Sequence, residues 1–229
     1  MNNGAKSASE TPPTGRGEVA PRGKSALARW WYAFCKFVCW TFCKALFRFH
    51  YTGCENVPAT GPLLVVSNHQ SHLDPVLIGV ASPRQVGALA RASLFVGPFG
   101  WLIRSFGAVP VERGSATGGI RALLGMLRAG EGAIVFPEGT RTQDGKLQPF
   151  QSGFAAIARR GGATIVPTTI DGAFTALPRG AVLPRLRPVT LTFHEPIAPD
   201  EIARLTDEEL VALTIARIAS TKDPACTSA

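Results

Sequence analysis

His69 and Asp74 are the residues whose types and spacing most directly allow proton transfer. They lie in Ser67-Asn68-His69-Gln70-Ser71-His72-Leu73-Asp74-Pro75, between the apolar runs Leu63-Leu64-Val65-Val66 and Val76 to Ala81. Residues five apart diverge by about 140° on a helix and stand roughly 17 Å apart on a strand, so only a turn lets this pair touch. Pro75 pushes Asp74 out of the helical region and suits a first helical position. The spacing therefore predicts a buried strand, a polar turn and a helix entered at Asp74. A carboxylate there accepts one imidazole N–H, fixes the tautomer and leaves the other nitrogen free as a base. The same residues also fit a plain helix cap and a histidine satisfied in a loop. A third reading takes His69, His72 and Asp74 as metal ligands, although such crowding, with no distant His or Cys block, makes a poor ligand set.

Two later segments put charge directly after short apolar runs. Ala108 to Glu112 reads as a strand delivering Arg113, and Ala133 to Phe136 as a strand delivering Pro137-Glu138-Gly139-Thr140-Arg141. An isolated arginine is ordinarily a solvated surface charge. Two at strand ends beside a His-Asp turn fit a ligand crevice, because open parallel sheets bind ligands at the carboxyl ends of their strands. Guanidinium forks match phosphate oxygens, and Gly139 lets a backbone approach closely. There is no G-x-S-x-G elbow, and Gln151-Ser152-Gly153 lacks the flanking glycine. A histidine base without a protein nucleophile points to direct transfer, in which an acceptor hydroxyl loses its proton to His69 as its oxygen attacks an acyl thioester.

Taken together, His69-x-x-x-x-Asp74, Gly107-Ala108-Val109-Pro110-Val111-Glu112-Arg113, Phe136-Pro137-Glu138-Gly139-Thr140-Arg141 and Ile165-Val166-Pro167 resemble the four ordered blocks of the glycerolipid acyltransferase family. That family contains 1-acylglycerol-3-phosphate acyltransferase, and the resemblance spans roughly residues 50–200. It implies that His69 is the base and Asp74 its partner, and that Arg113 and Arg141 contact phosphate. Glu138 and Gly139, with Thr140 in the same block, belong to an acceptor-binding loop. It further implies an acyl-CoA or acyl-carrier protein donor, no cofactor, and an αβ domain with an N-terminal helical membrane anchor. Lysophosphatidic acid is the acceptor best matched to two arginines; glycerol-3-phosphate, lyso-ornithine lipid or another lysolipid, and a catalytically silent lipid-binding module, are the rival readings. Val109 and Thr168 depart from the usual pattern, and Thr168 leaves the acyl preference open. His72 is taken as structural or water-facing.

The rest of the chain has to position these groups. Strand-like runs alternate with helical ones, which gives an α/β fold with a mostly parallel sheet covered by helices. Residues 1–24 are rich in Gly, Pro, Ser and Thr and read as a disordered tail, residues 50–221 as the acyltransferase domain, and residues 222–229 as a C-terminal tail. The formal net charge is +8, and residues 1–60 hold eight Lys/Arg against three Asp/Glu. Such a charge suits an anionic surface.

Within residues 25–49, aromatics and small apolar residues are interrupted by Lys36 and Lys44. On a helical wheel Arg29, Lys36, Trp40, Lys44 and Arg48 share one sector, with Trp31, Phe34, Cys35, Val38, Cys39 and Phe42 across much of the remainder. This predicts an amphipathic helix lying in the headgroup zone of a phospholipid membrane, on its cytoplasmic face. A full span and packing on the protein's own core are the other placements. Nucleic acid is disfavoured because a single apolar helix offers no open stacking groove. Cys35, Cys39 and Cys43 recur every fourth residue, as small apolar residues on one stripe, and no CxxC pair or disulfide framework is present. The large apolar residues between Leu94 and Phe106 read as core, with an acyl groove as the alternative.

Overall fold

The computed structural model describes residues 26–111, 116–181 and 183–220. Both expected tails and the candidate phosphate contact Arg113 lie outside the described residues. Seven strands form one sheet: β1 (His50–Thr52), β2 (Leu63–Ser67), β3 (Val86–Arg91), β4 (Val109–Val111), β5 (Gly132–Val135), β6 (Thr164–Asp171) and β7 (Thr190–Phe193), in the order β1-β7-β6-β2-β5-β3-β4. Every pairing is parallel except β6 with β7. The expected α/β architecture is therefore present, with an antiparallel turn toward one edge. β1 has no counterpart among the expected strands, since a three-residue strand carries too little alternation to be seen without its partner.

β2 is central and wholly buried, which is why its sequence is a continuous apolar run. Its side chains alternate between two layers. Leu63 and Val65 join Phe47, Leu77, Ile78 and Val166 on one face, while Leu64 and Val66 join Leu127, Phe154, Ile202 and Leu210 on the other. The first face is covered by α1 (Ala26–Phe47) and α2 (Asp74–Ala81). The second is covered by α4 (Ala116–Arg128), α5 (Gly153–Gly161), α7 (Pro199–Arg204) and α8 (Asp207–Ala219), while α3 (Gly97–Ser105) precedes β4 and α6 (Ala173–Ala176) follows β6. Thr206 and Glu209 close a reciprocal capping box that starts α8.

Helix α1 differs from the expected arrangement. It lies on the body of the protein, with Cys35, Cys43 and Phe47 buried, Trp31 Nε1 donating to Ser105 Oγ at 2.8 Å, and Lys36 donating to the Ser82 carbonyl. Lys36 therefore belongs to the inward face and not to a headgroup-facing basic edge; its four methylenes reach along an apolar surface to a carbonyl that needs a donor. The cysteine stripe is the packing seam, as its spacing predicts. Outward, the helix leaves Leu27, Trp30, Phe34, Phe37, Val38 and Phe42 exposed. Trp101 of α3 extends this surface, its ring 4.4 Å from that of Trp31. The apolar stretch around α3 is split, because Phe95 and Phe106 enter the core while Val96 and Trp101 do not. No helix among the described residues is long and apolar enough to cross a membrane.

Candidate active site

The turn between β2 and α2 brings His69 and Asp74 together. His69 Nδ1 lies 2.9 Å from Asp74 Oδ2, and that oxygen also accepts the backbone N–H groups of Gln70 at 2.6 Å and Ser71 at 2.8 Å. A carboxylate only accepts, so Nδ1 carries the proton and Nε2 keeps its lone pair. Asp74 opens α2 with Pro75 behind it, where the helix dipole favours negative charge. The Asp74 side chain is fully buried whereas 17% of the His69 side chain is accessible. The imidazole is thus open to the surface while the carboxylate is not. The His69 ring lies nearly parallel to Phe136, centroids 4.0 Å apart, which fixes its plane. Among the described residues no group of three His, Cys, Asp or Glu is placed to hold a metal ion.

β2 and β5 are neighbours, so the loop after β5 meets this turn directly. Glu138 Oε1 accepts the His69 backbone N–H at 3.1 Å, and the Thr142 N–H donates to the His69 carbonyl at 2.8 Å. Glu138 is buried, and this carboxylate contact faces the catalytic turn. Gly139 has φ 69°, and a Cβ there would come within 2.9 Å of Gln151 Nε2. Thr140 is exposed and Arg141 half-buried, both lining an open cleft of about 510 Å³ shared with Gln143, Asp144 and Gln148.

Three side chains that sequence reasoning passed over hold the turn to β6 and α6. The Asn68 amide exchanges two 2.8 Å hydrogen bonds with the backbone of Ile170, Gln70 Oε1 accepts from the Phe174 N–H, and Ser71 Oγ donates to the Leu177 carbonyl. Buried amides flanking a histidine were the available signal, since such groups must find partners. Two arginines were missed as well. Burial, then Arg179 and Arg91, push the Arg141 guanidinium below its ordinary pKa, while Asp74 opposes the shift. Arg91 ends β3 on the same carboxyl side of the sheet. His72 keeps an exposed side, while the desolvation of its covered part, followed by the Arg141 and His69 charges, lowers its pKa below the ordinary imidazole value. Thr168 is fully buried and donates its hydroxyl to the Val166 carbonyl, so it does not line a surface.

A mostly parallel sheet that carries a carboxylate-bound histidine and an arginine loop at its carboxyl edge is an α/β architecture with the parts of an acid–base site. The chain belongs to the Acyltransferase family, whose model matches residues 48–171. It is 30% identical to the 1-acyl-sn-glycerol-3-phosphate acyltransferase of Bacillus subtilis, over 69% of this chain and 78% of that one. It is 32% identical to a chloroplastic 1-acyl-sn-glycerol-3-phosphate acyltransferase of Brassica napus, over 68% of this chain and 47% of that one. The chain thus spans about half the length of several relatives it matches. The crystal structure of the 1-acyl-sn-glycerophosphate (LPA) acyltransferase of Thermotoga maritima superposes with a TM-score of 0.76 at 27% identity, covering 87% of this chain and 81% of that one.

Proposed function

We propose that the protein transfers a fatty acyl group from acyl-CoA or acyl-carrier protein to the free hydroxyl of 1-acylglycerol-3-phosphate. The product is phosphatidic acid, a phospholipid precursor. The observation that carries this reading is the 2.9 Å contact from His69 Nδ1 to Asp74 Oδ2, which leaves Nε2 as a base on a turn bonded to the loop that carries Arg141. Nε2 takes the hydroxyl proton as the acceptor oxygen bonds to the thioester carbonyl carbon. Collapse of the tetrahedral intermediate breaks the C–S bond, and the imidazolium returns the proton to the departing thiolate. Buried Asp74 stabilises the imidazolium between those steps. No covalent acyl-enzyme is needed.

Arg141 is the acceptor's phosphate contact, with Arg113, two residues beyond β4 in the sequence, as its proposed second contact and Arg91 and Arg179 reinforcing the positive field. The loop of Glu138, Gly139 and Thr140 shapes this pocket. The names of the relatives support lysophosphatidic acid as acceptor. The exposed aromatic face of α1 holds the enzyme on the cytoplasmic face of a membrane, where the lipid substrate resides. The direct test incubates purified protein with acyl-CoA or acyl-carrier protein and a panel of lysolipids and glycerol-3-phosphate. Phosphatidic acid should form fastest, and equal rates on a lyso-aminolipid would overturn the acceptor assignment.

A further inference from the structure

We propose that the loop of residues 177–188, joining α6 to β7, is a second bilayer-contact surface selective for anionic phospholipid, which turns the mouth of the active site toward the membrane. The loop is tied at both ends. Ser71 Oγ, two residues from the base, donates to the Leu177 carbonyl at 3.1 Å, and the Val189 N–H donates to the carbonyl of Phe47, the last residue of α1, at 2.9 Å. A further bond from the Arg185 N–H to the Ala176 carbonyl, 2.7 Å, fixes its course. The loop therefore runs from the catalytic turn to the end of the helix whose outer face carries Phe42 and Phe37.

Between those ties it presents apolar and cationic groups together. Leu183 and Leu186 are 78% and 73% exposed, and Arg179, Arg185 and Arg187 stand exposed around them. None of the three arginines is in an ion pair among the described residues. No Asp or Glu occurs between Asp171 and Glu195. Scattered surface leucines are ordinary. This pair differs because it lies between cations, on a loop whose far end is bonded to the last residue of α1. Leucines that enter an acyl layer while arginines meet lipid phosphates at headgroup depth are the chemistry of an anionic bilayer surface. An acidic protein would be matched by the arginines alone and gives no account of the leucines.

This inference rests on the reading that the acceptor is a bilayer lipid, and the experiment separates the two. Full-length protein is sedimented with vesicles of phosphatidylcholine, with and without phosphatidylglycerol. Arg185→Gln/Arg187→Gln should bind anionic vesicles about fivefold more weakly per arginine and neutral vesicles unchanged. Leu183→Ser/Leu186→Ser should weaken both, and Arg185→Lys/Arg187→Lys should retain anionic binding. All three should turn over a short-chain lysophosphatidic acid, below its micelle concentration, at the wild-type rate, which also reports that they fold. Wild-type vesicle binding by the Gln and Ser variants overturns the proposal. So does an unchanged vesicle affinity with a loss confined to carrier-protein-borne donor, which would make the loop a protein dock. If the wild type acylates no lysophosphatidic acid while the variants still lose vesicle binding, the acceptor reading falls and the contact surface stands.

Discussion

The His69 backbone N–H donates to Glu138 Oε1 at 3.1 Å while the His69 carbonyl accepts from the Thr142 N–H at 2.8 Å, so the base is held at both of its peptide groups by the loop that carries Arg141. The proposed base and the loop proposed to bind the acceptor are thereby one hydrogen-bonded unit. Glu138→Gln keeps an acceptor oxygen and should retain most of kcat. Glu138→Ala strands the His69 N–H, a loss of about 1–3 kcal/mol, and should lower kcat by about 10- to 100-fold with a smaller change in acceptor KM. Steady-state kinetics with varied acceptor decide the matter, and a rise in KM at constant kcat would make Glu138 a substrate contact.

Asp74 has two duties that substitution can separate. Asp74→Asn leaves a carbonyl oxygen for the Gln70 and Ser71 N–H groups but removes the charge that stabilises a protonated His69. Activity should fall by at least about 100-fold with a small change in Tm. Asp74→Ala also removes the acceptor of two backbone donors, each charged hydrogen bond contributing about 1.5–3 kcal/mol, so Tm should drop by several degrees as well. His69→Ala should cost about 10²- to 10⁴-fold in rate with the fold intact. Calorimetry beside single-turnover rates distinguishes these patterns, and equal Tm for both Asp74 variants would remove the turn-holding role.

The contact between His69 and Asp74 was legible because only a turn lets residues at that spacing meet. β2 and β5 were legible because buried parallel strands are continuous apolar runs. Helix α1 was half legible. Its amphipathic character is in the sequence, yet Lys36 sits on the inward face because its stem reaches the Ser82 carbonyl, an acceptor that only folding supplies. The backbone role of Glu138 was hidden for a similar reason, since the neighbouring order of β2 and β5 decides which loops touch and no local pattern encodes it. Asn68 and Gln70 bond to residues about a hundred positions away. Arg179 gains its relation to Arg141 only through the course of the chain after α6.

Acid should destabilise the fold through His194. Its Nε2 lies 2.8 Å from Thr169 Oγ1, whose own proton goes to the Ile218 carbonyl at 2.7 Å, so His194 is the donor. Burial, helped by the Arg217 charge, holds its pKa down at about 4 against 6.5 ordinarily. Between those values the unfolded chain binds the proton and the folded one does not. The contribution is therefore complete above pH 6.5 and is lost as pH falls toward 4. Discounted for partial exposure, the loss is about 1–2 kcal/mol, a few degrees in Tm. His194→Gln keeps a donor to Thr169 and should flatten the Tm profile across this window; a slope identical to wild type would assign the acid sensitivity to other groups.

Arg141 tests the acceptor assignment most sharply. Its guanidinium is partly desolvated and feels Arg179 and Arg91, whose charges lower its pKa against the pull of Asp74. Like charges gathered at a cleft repel one another until an anion lies between them, so a phosphate monoester should stabilise the folded protein as it binds. At 100 times its Kd a ligand adds about 2.7 kcal/mol, which in a chain of this length raises Tm by roughly 5–10 °C. Lysophosphatidic acid should produce that rise and its neutral monoacylglycerol counterpart should not. Arg141→Ala should abolish the difference between the two, raise acceptor KM and leave donor KM unchanged. If phosphate binding also aims the hydroxyl at His69 Nε2, kcat falls along with affinity, whereas a contact made equally in ground and transition states changes KM alone. Thermal shift with the paired ligands, set beside kinetics with each substrate varied in turn, reads every arm. Equal stabilisation by the neutral and phosphorylated lipids in the wild type would remove Arg141 from the acceptor site.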